Sequence, residues 1–258
     1  MNYTFQVAYL NALRQKKIIP KNILEELKLT KNLSSLVSVL KEYKYNKIFS
    51  FTKIEEEIFD SVNFESVLEE EINDTLNLLS NLLLNEHKIL IPWLKYFYSK
   101  NFENIDSIML FFSKYFLVLK KLNSKICENI FKLTIDFENI KLFLYYTQVS
   151  TNTSAQQLYF FPYGNIKEYI FKDSFPSIET LNKYITTTFY QKINLSTQPI
   201  KENLNYYFNQ YLQEFIWQSK FYYFTIEPII AYFFEKLIET QQLKEIYYNT
   251  KINRHPNL

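Results

Sequence analysis

Glycine is almost missing from this sequence, and the shortage excludes a good deal. One glycine, Gly164, occurs in 258 residues, where an ordinary chain carries about 7%. Phosphate-cradling loops need several glycines at fixed spacing, so the Walker and dinucleotide-binding fingerprints are ruled out. Tight hairpins lose the residue that adopts positive φ without steric cost, which disfavours hairpin-rich β folds and leaves asparagine as the expected substitute at left-handed turns. Arginine occurs only at Arg14 and Arg254, and no block of basic residues stands anywhere in a chain of net charge +2; nucleic acid is not an expected partner. The single cysteine, Cys127, makes no intramolecular disulfide, which fits a reducing compartment, and its apolar helical context reads as a small buried hydrophobe. Histidine is limited to His87 and His255, neither with a metal-ligand partner one helical turn away. Long apolar runs are absent as well: the window from Ser107 to Leu119 contains Lys114 and is too short to cross a bilayer. The first seventeen residues lack the apolar stretch of a signal peptide. No catalytic residue, no metal site and no cofactor is expected.

What is present is aromatic and helical. The chain holds 22 Tyr and 24 Phe. Lys, Asn, Ile, Tyr and Phe belong to AT-rich codons, so genomic base bias accounts for the abundance, and it is no sign of base stacking. Hydrophobic residues make up 47% and charged residues 22%, which is enough apolar content for a packed core and far from a disordered composition. Carboxylates come in runs, Glu55-Glu56-Glu57 and Glu69-Glu70-Glu71, which read as solvated helix faces.

Periodicity predicts helices through most of the chain. Phe5–Lys16 turns Val7, Leu10 and Leu13 inward and Asn11, Arg14 and Gln15 outward. A second helix follows Pro20, and a third, capped at Thr30 or Asn32, carries Leu33, Leu36, Val37 and Leu40. Glu55–Leu84 is helical with a break near Ser61–Asn63. Pro92 opens the next helix, Asn101 or Asn104 caps Ile105–Lys121, and Ser124–Tyr146 continues with a break near Thr134. Ser150–Gln156 is a polar linker. Leu158–Ile200 is the least regular part, with a candidate strand at Thr186–Tyr190, and Ile200–Gln218 is helical again. The expected architecture is an all-α, multi-lobed helical bundle, with lobes at 1–90, 91–150 and 151–258.

The most strongly patterned segment lies near the C-terminus. Ile226, Ile229, Ile230, Phe233, Phe234 and Leu237 share one helical face; Thr225 is a candidate N-cap, and Pro228 suits the first turn. Glu235, Lys236 and Glu239 form a charge patch that reads either as a solvated flank or as a docking face for a partner. A weaker echo links Asn101–Asp106 with Asp136–Lys141, both containing Phe-Glu-Asn-Ile; it is either chance in an Asn- and Phe-rich chain or a duplicated helical unit.

Three segments in order resemble the C-type (also called d-type) rotor component of the V/A-type rotary ATPases. They are Tyr9–Arg14 with the helices through Tyr45, the element Asp136-Phe137-Glu138-Asn139-Ile140-Lys141, and Glu227-Pro228-Ile229-Ile230-Ala231-Tyr232 followed by Lys236, Glu239 and Leu243. Thr225 and Ile226 stand where that family has glycine before Glu-Pro. The resemblance implies a funnel-like arrangement of similar helical units that binds no nucleotide and caps the membrane rotor ring on its cytoplasmic side. It further implies ring (proteolipid) and central-stalk subunits as partners, with membrane contact only through the ring. Its motif and interface candidates are Arg14, Asp136, Asn139, Lys141, Glu227, Tyr232, Glu235, Lys236 and Glu239. Two other readings stay open: an unrelated all-helical scaffold subunit of a large assembly, and a helical effector enzyme with a concealed site.

Overall fold

The computed structural model describes residues 3–30, 32–45, 61–99, 105–122, 124–149, 159–175, 177–187, 190–195 and 200–254. Among them the chain is helical with no strand: α1 (Thr4–Lys17), α2 (Lys21–Thr30), α3 (Leu33–Glu42), α4 (Ser61–Leu82), a 3-10 helix (Asn85–Leu90), α5 (Ile91–Ser99), α6 (Ile105–Leu122), α7 (Lys125–Val149), α8 (Glu168–Ser174), α9 (Ile178–Thr186), α10 (Ile200–Ser219) and α11 (Glu227–Arg254). The all-α expectation holds. The structure divides into two compact units, one built from Met1–Lys100 with Gln218–Leu258, the other from Asn101–Trp217. The C-terminal helix α11 therefore packs with the N-terminal helices.

In the first unit α11 is the central element. From Ile226 to Thr240 every residue except Glu235 is buried, so this half of the helix is enclosed on nearly all sides. The helix α1 and the longer α4 both pack on it, as do α2 and α3. The expected apolar face is present, but so are buried residues on the opposite face, and the helix is not amphipathic here. Beyond Thr240 burial becomes periodic, with Leu243, Ile246, Tyr247 and Thr250 inward. Trp93 and Phe97 meet Phe234 edge-on, with centroids 6.3 and 4.9 Å away, a favourable aromatic geometry. Thr225 is not the N-cap: its hydroxyl donates to the Tyr222 carbonyl, and the first helical turn hangs from the Ile226 carbonyl, which accepts from Ile229 and Ile230.

The glycine shortage is met in an unexpected way. The described residues with positive φ that are not glycine are Lys44 (58°) and Tyr163 (82°), and asparagine supplies neither. Lys44 closes α3: its amide bonds the Lys41 carbonyl at 3.1 Å, and the Tyr45 amide reaches back to Leu40 at 3.0 Å. This is the paired bonding of a Schellman stop, with lysine where glycine usually sits. At the other end of α3 the Asn32 side chain accepts from the Ser34 amide at 2.9 Å, as an N-cap should.

In the second unit α7 plays the central part. It runs unbroken through Thr134, whose hydroxyl donates to the Ile130 carbonyl at 2.8 Å and so stays within the helix. Residues 133–137 are all buried. Its apolar side packs with α8, α9 and the start of α10 through Phe137, Ile140, Phe143, Phe171, Leu181, Ile185 and Leu204. The segment expected to be irregular thus contains two short helices, and the candidate strand is not one: Thr186 ends α9, and Thr187 and Tyr190 lie in turns. Residues 188–189 lie outside the described set. So do Glu55–Glu57, the proposed caps Asn101 and Asn104, the linker Ser150–Gln156, and His255.

Candidate functional site

The sequence candidates gather into two buried polar nodes, each centred on a carboxylate of a long helix. In the first, Lys236 and Glu239 lie one turn apart on α11, and both are buried, Lys236 fully. The Lys236 ammonium donates to the Lys17 carbonyl at 2.6 Å and to Glu239 at 2.7 Å, and stands 3.1 Å from Glu71 of α4. It also lies 4.5 Å from the centre of the Tyr45 ring. Glu239 in turn accepts from the Ile19 amide at 2.6 Å and from the Tyr45 hydroxyl. These charges therefore form neither a solvated flank nor a docking face. They point inward and staple the α1–α2 turn and the stop of α3 to α11.

The expected outward position of Arg14 is likewise corrected. Its guanidinium pairs with Glu235 at 2.6 Å, donates to the Pro228 carbonyl at 3.0 Å and lies 5.8 Å from the Tyr232 ring, tying α1 to the first turns of α11. Glu227 opens α11 and is buried at the positive end of the helix dipole. Tyr232 is fully buried, and its hydroxyl has no hydrogen-bond partner among the described residues; the same holds for Oε2 of Glu71. Burial, then the neighbouring Glu71, Glu239 and Glu235, raises the pKa of Tyr232. Burial also pushes the Glu71 carboxyl above its ordinary range, against the pull of Lys236 and Lys17.

In the second node, Asp136 and Asn139 of α7 hold the segment that leads into α8. Asp136 accepts from the amides of Asn165 (2.8 Å) and Ile166 (3.0 Å) and from the Tyr190 hydroxyl (2.5 Å). Asn139 pairs with both backbone groups of Phe161, accepting from its amide at 2.7 Å and donating to its carbonyl at 2.9 Å. Burial raises the Asp136 carboxyl to about 6 despite these donors. Gly164 lies against this carboxylate so closely that a Cβ would stand 2.1 Å from Oδ1. The sole glycine is thus required by close approach and not by positive φ. Lys141 is apart from the node; it pairs with Glu138 at 3.0 Å, partly exposed on the same helix.

Several residues of the nodes were not singled out from sequence. Glu71 belonged to a run read as solvated, yet it falls in register with Phe64, Val67, Leu68, Ile72 and Leu76, all buried; a carboxylate at an apolar register position is the readable signal. Tyr45 and Tyr190 carried none among so many tyrosines. No group of carboxylates, histidines and cysteine suited to a metal ion occurs among the described residues.

A protein-family model described as the ATP synthase (C/AC39) subunit matches residues 87–248, more than half of the chain. The chain belongs to the ATP synthase (C/AC39) subunit family. No curated protein and no solved structure matches it. The family is one of non-catalytic accessory subunits of V/A-type ATPases, which sets aside the unrelated-scaffold reading. The matched span includes Asp136–Lys141 and the segment from Glu227 through Glu239 and Leu243, so both long-helix carboxylates of this C/AC39 chain fall inside it. The partners of Asp136, from Asn165 to Tyr190, fall inside it too, whereas the N-terminal elements that Lys236 and Glu239 grip, from Lys17 to Tyr45, lie outside. No helix among the described residues is long and apolar enough to cross a membrane.

Proposed function

We propose that this C/AC39-family chain is a non-catalytic rotor subunit of a V/A-type ATPase. In this reading it caps the membrane rotor ring on the cytoplasmic face, seats the central stalk, and passes torque between the ATP-hydrolysing head and the ion-carrying ring. Its partners are the ring (proteolipid) and central-stalk subunits, and the ring holds it at the membrane. The observation that carries the reading is the family match over residues 87–248. The two nodes support it physically. A torque adaptor needs helices that do not slide against each other, and directional buried hydrogen bonds and ion pairs resist sliding more sharply than apolar contacts do.

The test is co-isolation from native membranes. An affinity-tagged chain is expected to retain ring and central-stalk subunits through mild detergent extraction. Recovery of the chain alone, or only with peripheral-stalk or head subunits, overturns the rotor assignment.

A further inference from the structure

The first unit carries an aromatic run that is open to solvent. Four consecutive residues between α10 and α11 are open to solvent: Phe221 (62%), Tyr222 (44%), Tyr223 (56%) and Phe224 (60%). The base bias of the sequence explains why aromatic residues are plentiful. It does not explain why four in succession face outward, where each leaves apolar area in water. The run is held in place, because Ser219 and Ile226 at its two ends are buried and the Phe221 and Tyr222 amides close turns onto Gln218 and Ser219.

This run is joined to a second exposed apolar face. The Tyr3 amide donates to the Phe224 carbonyl at 3.2 Å, which sets the start of α1 beside the end of the run. On α1, Phe5 (77% exposed) and Tyr9 (43%) lie one turn apart, with exposed Ala8 and Ala12 on the same face. Charge on these two segments has one sign. Residues 1–24 contain Lys16, Lys17 and Lys21, besides Arg14 whose charge Glu235 meets, and no carboxylate; residues 215–226 contain Lys220 and no carboxylate, with Glu25, Glu214 and the buried Glu227 just outside. Lys16, Lys21 and Lys220 are exposed. The exposed Glu86 borders Tyr3, with exposed Lys88 two residues along, so that border adds no net negative charge.

We infer that this surface docks directly on the headgroup zone of an anionic lipid bilayer. Phenylalanine and tyrosine with flanking lysines are the side chains that settle at that depth, the rings among the upper acyl carbons and the cations among the phosphates. A protein groove would also accept the rings, but it gives no reason for two adjoining segments stripped of carboxylates. The contact departs from the expectation that the membrane is met only through the ring, and it does not rest on the ring-capping role.

The experiment is sedimentation of the purified chain with protein-free vesicles, either phosphatidylcholine alone or phosphatidylcholine with phosphatidylglycerol. The chain is expected to pellet with the anionic vesicles, less in high salt, and poorly with the neutral ones. Phe221→Ser with Phe224→Ser should cut the bound fraction about tenfold or more; Leu29→Ser, at an exposed site on α2 (83%), should not. Phe5→Ser with Tyr9→Ser is an independent pair with the same expected loss, and circular dichroism checks that each variant stays folded. The inference is overturned if the unaltered chain fails to pellet, or if neither pair changes its binding. It is equally overturned if the chain ignores vesicles but forms a dimer that both pairs abolish, since a second copy then covers the surface. Failure to co-isolate with the ring leaves this outcome untouched, because the vesicles contain no protein.

Discussion

In one unit Glu239 of α11 accepts from the Ile19 amide and the Tyr45 hydroxyl; in the other Asp136 of α7 accepts from the Asn165 and Ile166 amides and the Tyr190 hydroxyl. Ile19 stands two residues ahead of α2 and Ile166 two ahead of α8, and in each case two short helices follow before the tyrosine returns to the carboxylate. The wiring is the same, but the charge is not. Glu239 has the buried ammonium of Lys236 beside it and Glu71 beyond, whereas Asp136 has donors that are all neutral. A carboxylate supported by amides and a phenol can relieve its burial by taking a proton. One that stands against a buried ammonium has a charged partner within 2.7 Å that the other lacks. The first unit is held by a buried ion pair and the second by neutral donors around a carboxyl that burial raises to about 6.

Removing the cation is the severest way to break this contrast. Lys236→Met leaves Glu239 and Glu71 buried without their counter-charge, and the expected cost is about 3–5 kcal/mol by denaturant unfolding. Asp136→Asn keeps the shape and some of the accepting capacity, and about 1–3 kcal/mol is expected. Equal losses would mean that the two nodes are energetically alike and the contrast is wrong.

Acidity separates the nodes further. The Asp136 carboxyl is raised from 3.8 to about 6 in the folded chain, so the folded state keeps a proton that the unfolded chain gives up. The stability this provides is complete below the unfolded value and is lost as pH rises through about 6. Unfolding free energy should therefore fall by up to about 1.4 kcal/mol per pH unit across that window, and the difference from Asp136→Asn, measured at each pH, isolates the contribution. A difference that does not vary with pH would show that Asp136 stays ionised.

Gly164→Ala probes the second node from its other side, since the new methyl would press on the Asp136 carboxylate. A loss of about 1–3 kcal/mol is expected. Asp136→Ala in the same chain should recover part of it, giving a coupling that independent sites lack. The smallest effect is at the stop of α3, where Lys44→Gly should raise the melting temperature slightly, by relief of about 1 kcal/mol of left-handed strain. A lower melting temperature would point to a role for the lysine side chain itself.

Much of this was legible in the sequence where burial follows helical period. The buried Val7 and Leu10 of α1, the inward residues of α3 and the apolar face of α11 all came from spacing, although Leu13 is only half-buried. The sense of the Glu235–Glu239 patch did not. On a helix wheel, Lys236 and Glu239 look like an exposed flank, and only the packing of α4 and the α1–α2 turn against that flank turns them into core. The same limit applies to Tyr45 and Tyr190. Base bias has filled the chain with tyrosines, so the two that close the nodes carry no compositional mark. The return of α11 to the N-terminal helices is a long-range contact that local periodicity does not encode.

The burial of the Lys236 amine has a chemical consequence. Acylating reagents modify amines that reach solvent, so in a short pulse the exposed lysines of this protein will label while Lys236 stays bare. Its modification then records only the moments when α4 and the α1–α2 turn lift away from α11. A peptide carrying Lys236 in a mass spectrum becomes a clock for the opening of the first unit, readable inside an assembled complex where unfolding curves cannot be measured.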